Sequence, residues 1–210
     1  MRLLLLGATG RTGTDLLAQA VAQGHEVRVL VRDPARLHAR VPPHRLLCGS
    51  VMDAAALEDA VGGQDAVVCA LGPRSPTELL HCELMRRSVP ALAESMRRRG
   101  VARLILLSAL GVGDSRARAP LPFRLAFATM LRQVGKDKAR AEEVVRASAL
   151  DWTIIYPPAL TDGPATGRYR HGEQLQLRGR ASISRADVAH FMLAQLTDAT
   201  YSRRAAIVGP

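Results

Sequence analysis

The chain has 210 residues, 48% hydrophobic and 23% charged, which supplies one ordinary core and excludes a fibrous or disordered chain. Its 29 Lys and Arg against 19 Asp and Glu leave a net charge of +10, yet only 3% of residues are aromatic and arginines scatter through almost every predicted element. That distribution argues against a nucleic-acid surface and for an arginine-rich exterior in which particular guanidiniums bind a small anion.

The apolar run 3–6 stops at Gly7, far short of a signal-peptide core or of the roughly 20 residues of a membrane span, so a cytoplasmic chain with no membrane partner is expected. Buried strands are predicted at 3–6, 27–31, 46–48, 66–70, 104–107 and 153–155. Helices are predicted between them at 12–23, 53–61, 77–99 and about 123–148. The alternation is that of right-handed βαβ units around a parallel sheet. The third helix ends on Gly100 after three arginines. Pro90 is expected to kink or split it around 86–89, because proline removes a ladder hydrogen bond. After Tyr156, Pro157, Pro158, Gly163, Pro164, Gly167, Gly172 and Gly179 mark a long irregular segment. Ser184-Arg185-Ala186-Asp187 then has the form of a capping box, followed by Val188, Phe191, Met192 and Leu196 at helical spacing. A last strand is predicted at 205–208. Cys48, Cys69 and Cys82 lack metal-ligand or redox spacing; Cys48 and Cys69 are expected as small buried strand residues, and no metal site is expected.

The most specific feature is Gly7-Ala8-Thr9-Gly10-Arg11-Thr12-Gly13, lying between the first strand and the first helix. Gly7 permits the sharp turn, Gly10 lets backbone approach a pyrophosphate, and Gly13 lets the helix pack on the sheet. A dinucleotide is therefore expected here. At the end of the second strand, Arg32 and Arg36 favour NADP, because guanidiniums grip a 2′-phosphate where a carboxylate would bind the ribose hydroxyls of NAD. Asp33 is in range to be that carboxylate, but before Pro34 it reads as a helix N-cap.

These motifs, with Val29-Leu30-Val31-Arg32-Asp33, Gly63-Gln64-Asp65-Ala66-Val67, Leu71-Gly72, Tyr156-Pro157-Pro158 and Asp187-Val188-Ala189-His190-Phe191-Met192-Leu193, resemble the atypical short-chain dehydrogenase/reductases of NmrA-like fold. Within that group they are most similar to the biliverdin-IXβ reductase, or flavin reductase, family. The resemblance implies a single doubly wound, Rossmann-type α/β domain over 1–210 with a mostly parallel sheet, residues 156–210 completing the substrate side. It implies NADP(H), with Gly7, Thr9, Gly10, Arg11 and Thr12 at the pyrophosphate, Arg32 and Arg36 at the 2′-phosphate, and Ser50 and Val51 at the adenine edge. Leu71, Gly72, Ser108, Pro157 and Pro158 would line the nicotinamide side. Ser50 stands where an acidic residue is more usual, and Ala159 replaces a histidine found after the two prolines in the nearest relatives.

The Tyr-x-x-x-Lys pair of short-chain reductases at large is missing: Val134 precedes Lys138 at that spacing. A planar conjugated acceptor, namely a flavin, quinone or tetrapyrrole, needs no dedicated tyrosine acid, so NADPH-dependent hydride transfer to such a molecule is the expected activity. The alternative is a non-catalytic NmrA-like NADP(H) sensor. Ser108 and Lys138 are the candidate catalytic side chains. Ser108 would donate to the acceptor or else satisfy loop backbone. Lys138 would reach the ribose or carboxamide, or else sit exposed and pair with Glu142. Arg116, Arg118, Arg124, Arg168, Arg170 and His171 are candidates for an anionic acceptor tail, and His190 is expected as a partly buried structural histidine. A monomer or weak homo-oligomer with no nucleic-acid partner completes the expectation.

Overall fold

The computed structural model describes residues 1–38, 40–73 and 75–210. Strands β1 (Arg2–Leu6), β2 (Glu26–Val31), β3 (Arg45–Cys48), β4 (Ala66–Cys69), β5 (Arg103–Leu107) and β6 (Asp151–Tyr156) are the six expected. Two short strands, β7 (Ala159–Thr161) and β8 (Arg170–Gly172), follow within the segment expected to be irregular, then β9 (Ser182–Ser184) and β10 (Arg204–Gly209). Among the described residues one eight-stranded sheet runs β3-β2-β1-β4-β5-β6-β10-β8, while β7 and β9 pair separately. All its neighbours are parallel except β8, which is antiparallel on β10. The order reverses between β1 and β4, which opens a crevice beyond the strands' carboxyl ends.

Alternation along the strands divides the core into two layers. Leu4, Leu6, Val67, Leu104 and Ile154 point to one face, packed by α2 (Ala54–Val61), α4 (Leu84–Arg99) and α6 (Arg132–Ala147). Leu3, Leu5, Val29, Ile105 and Ile155 point to the other, packed by α1 (Arg11–Ala22) and α7 (Arg185–Ala194). The sheet is thus covered on both faces, as its near-continuous apolar strands require. No helix of the described residues is long and apolar enough to cross a membrane.

Two helices differ from expectation. The third breaks at 81–83 into α3 (Pro76–Leu80) and α4, and α4 continues through Pro90 without a split. Pro90 and Arg86 are both exposed, so solvent can take the carbonyl that the proline leaves unpaired. The break instead lies where the buried Asp137 carboxylate accepts the amides of Met85 and Arg86, at 3.0 and 2.9 Å, and caps α4 from another helix. The fourth helix likewise divides into α5 (Leu121–Ala128) and α6. The capping box is present as expected: the Ser184 hydroxyl accepts the Asp187 amide at 2.9 Å. Cys69 is buried, but Cys48, on the edge strand β3, is exposed.

Candidate functional site

Gly7 leaves β1 with φ +89°, a left-handed conformation that favours glycine, and a Cβ there would run into the Ala70 carbonyl. The Gly10 amide closes the turn on the Gly7 carbonyl at 2.9 Å, and a Cβ on Gly13 would overlap that carbonyl. Helix α1 opens at Gly10 with no side-chain cap and no acidic residue in its first turn. Backbone this close, leading into uncapped amides at the positive end of a helix, fits a diphosphate.

A cleft of ≈ 590 Å³ adjoins this turn. Of the predicted binding residues it brings together Gly7, Thr9 and Gly10 from the turn, Arg32 and Arg36 from beyond β2, Val51 from beyond β3, and Leu71 and Gly72 from beyond β4. Arg32 lies 3.9 Å from Glu78, and Arg36 lies 3.3 Å from Asp33. Both guanidiniums are more than half exposed, so these pairs hold them only weakly. Asp33 takes the capping role: its Oδ1 accepts the Ala35 amide at 3.0 Å at the head of a short 3₁₀ turn, Pro34–Arg36.

Other predicted residues lie off the lining. Thr12 and Gly13 are buried within the first turn of α1, and Arg11 is bonded to Asp162, which also receives Arg185 at 2.8 Å. The Ser50 hydroxyl accepts the Met52 amide at 3.1 Å. Pro157 and Pro158 are buried, and the Pro157 carbonyl accepts the Leu110 amide.

Ser108 is 4% exposed, and its hydroxyl donates to the Glu142 carboxyl, not to loop backbone. Glu142 also accepts the Tyr156 hydroxyl at 2.6 Å. Burial pushes the Glu142 carboxyl above its ordinary range, against the two hydroxyl hydrogen bonds. The expectation of an exposed Lys138 paired with Glu142 is corrected: α6 turns Lys138 inward against α4, leaving it 7% exposed. Its Nζ donates to the Leu107 carbonyl at 3.1 Å and approaches Met85 Sδ at 3.4 Å. Burial pushes this ammonium below its usual value.

Of the candidate anion-binding residues, Arg118 crosses to Gln174 at 2.8 Å, Arg170 donates to the Pro210 carbonyl, and His171 meets the Tyr201 hydroxyl at 2.7 Å. His190 is exposed, contrary to expectation, and its ring nitrogen meets the Tyr169 hydroxyl at 2.6 Å. Sequence reasoning missed the cleft wall formed by His81, Cys82, Leu84 and Arg87. That wall exists because α3 and α4 break apart, and the break depends on Asp137, 52 positions after Met85.

Comparisons with known proteins bear on the fold, the family and the cofactor. The chain is 30% identical over 212 residues to YhfK of Bacillus subtilis, named an uncharacterized sugar epimerase, covering 98% of this chain and 92% of that protein. It is 29% identical over 215 residues to the (4-alkanoyl-5-oxo-2,5-dihydrofuran-3-yl)methyl phosphate reductase of Streptomyces griseus, covering 99% and 68%. ChuY of Escherichia coli O157:H7, described as an anaerobillin reductase, shares the fold with a TM-score of 0.78 at 23% identity, covering 99% and 96%. A family model described as NAD(P)H-binding matches residues 7–199. Spanning the glycine turn, the cleft and the last long helix, this match shows that the chain belongs to the NAD(P)H-binding family, with NAD(P)H as its cofactor.

Proposed function

We propose that the protein is an NADPH-dependent reductase that delivers hydride to a planar conjugated acceptor, a flavin or quinone. The observation that carries this reading is the meeting, in one cleft, of the Gly7–Gly10 turn with Arg32 and Arg36. The turn would hold the diphosphate on backbone amides while the two guanidiniums hold the 2′-phosphate. Val51 would face the adenine, and Leu71 and Gly72 the nicotinamide. When bound, the reduced nicotinamide supplies the hydride. Proximity and orientation in the cleft would be the chain's main contribution, because no Tyr-x-x-x-Lys pair is present. A relative at 29% identity that is named a reductase supports the reductive direction.

Steady-state oxidation of NADPH with FMN, riboflavin and a simple quinone tests this. Turnover with at least one of them, and a higher kcat/KM for NADPH than for NADH, is the expected result. Tight NADPH binding with no turnover would overturn it in favour of an NADP(H) sensor.

A further inference from the structure

A second cavity, ≈ 470 Å³, lies on the face of the sheet beside α6 and away from the glycine turn. Its lining includes Tyr156, Arg146 and Asp114. From it a hydrogen-bonded chain runs inward: the Tyr156 hydroxyl donates to Glu142 Oε2 at 2.6 Å, and Ser108 Oγ donates to Glu142 Oε1. Ser108 directly follows β5, at the carboxyl edge of the sheet on which the first cleft also opens, although it is not part of that cleft's lining. The chain thus leads from the second cavity to the carboxyl edge of the sheet through a single carboxyl group that is 2% exposed.

The surroundings of that carboxyl are built for it. Gly113 adopts φ +49° with its backbone against Glu142, where any Cβ would overlap Oε2. Facing it are Arg146 and Lys138 from its own helix and Tyr156 from β6. Arg146 donates to the Tyr156 hydroxyl at 3.1 Å and pairs with Asp114 at 3.2 Å, while Lys138 is held on the Leu107 carbonyl. Glu142 therefore has two hydroxyl partners and no direct ion pair among the described residues.

We propose that Ser108, Glu142 and Tyr156 form a proton relay from the second cavity to the end of β5, with the Glu142 carboxyl as its middle, proton-carrying member. The relay rests on the reductase reading and supplies what hydride transfer leaves unbalanced. With the proton on Glu142 Oε1, the hydrogen bond between Glu142 and Ser108 runs from the carboxyl to Ser108 Oγ and frees the Ser108 O–H; when an acceptor is reduced, that O–H bond would break and its proton join the acceptor's reduced heteroatom. The Glu142 carboxyl proton restores Ser108, the Tyr156 hydroxyl proton restores Glu142, and solvent in the second cavity restores Tyr156. The sum is one hydride and one solvent proton per acceptor. The raised proton affinity of the buried Glu142 carboxyl agrees with this role.

Infrared spectroscopy of the protein alone reads the proton directly. A protonated-carboxyl band is expected at neutral pH, shifted in D2O and absent from Glu142→Gln. Tyr156→Phe keeps the carboxyl but cuts its link to the cavity, so the band should persist and exchange more slowly. With NADPH and a quinone, Glu142→Gln should lower kcat about 100-fold, leave the KM for NADPH unchanged, and flatten the pH profile. An ionised Glu142 at neutral pH, or wild-type kcat in Glu142→Gln, overturns the relay. If the wild type oxidises NADPH with no acceptor, the reductase reading fails, and the infrared arm alone then decides where the proton sits.

Discussion

The Asp137 carboxylate accepts the backbone amide of Met85 at 3.0 Å, so the N-terminus of one helix is capped by the side chain of another. The same carboxylate takes the Arg86 amide and the Cys82 thiol, and Cys82 lines the cleft beside the glycine turn. A single buried acid therefore fixes both the start of α4 and one wall of the site.

Removing that acid should cost stability and change a thiol. Asp137→Ala leaves two inward-facing amides unpaired and is expected to destabilise the fold by about 3 kcal/mol, read from urea unfolding. Asp137→Asn keeps an acceptor oxygen and should cost less. Burial first, then Asp137, pushes the Cys82 thiol up to about 11. In Asp137→Asn the thiol should therefore become more acidic and alkylate faster at mildly alkaline pH. Unchanged alkylation would show that Asp137 does not restrain it.

In the proposed reading the two guanidiniums beyond β2 carry the choice of nucleotide. Arg32→Ala and Arg36→Ala should each weaken NADPH binding about 10- to 100-fold, the range of one charge-assisted hydrogen bond, and change NADH binding little. Titration calorimetry with both nucleotides checks this, and equal losses for the two would refute a 2′-phosphate contact.

The parts of this molecule that the sequence made legible have short-range causes. The turn built on Gly7, Gly10 and Gly13, the Asp33 cap before Pro34 and the Ser184 capping box each depend on residues within a few positions of one another, and each stands where expected. What stayed hidden depends on distant partners. The start of α4 is set across 52 positions by Asp137, and Ser108 meets Glu142 across 34. The i,i+4 spacing of Lys138 and Glu142 suggested a solvated pair, but α6 has helices on one side and sheet below. Both side chains consequently turn inward to separate partners. The exposure of Cys48 follows from β3 being an edge strand, which depends on sheet order and not on local pattern.

Burial of Lys138 gives stability a definite dependence on pH. Its pKa is lowered in the folded protein, chiefly by desolvation, so the unfolded chain binds this proton more tightly than the native one. The resulting penalty is largest below the folded value and disappears as pH rises toward the ordinary 10.5. Lys138→Met, which keeps most of the volume, should therefore gain most over the wild type at low pH, with the gain shrinking toward alkaline pH. Urea midpoints for both proteins across that range measure it, and a gain that grows with pH would contradict the buried-ammonium account.

Arg11 is a basic residue in the first turn of α1, where the helix dipole disfavours it, and its partner Asp162 lies just beyond β7. Both side chains are about two-thirds exposed, so their pair is worth about 1 kcal/mol or less. If Arg11 reaches the diphosphate, Asp162 competes with that ligand for the same guanidinium. Asp162→Asn should then leave unfolding nearly unchanged and tighten NADPH binding by up to about fivefold at low salt, with the gain fading as salt is added. Arg11→Ala in the Asp162→Asn background should remove the gain, which assigns it to this pair and not to Arg185. Weaker binding in Asp162→Asn would mean instead that Asp162 holds Arg11 ready for the ligand, reversing the sign of its contribution.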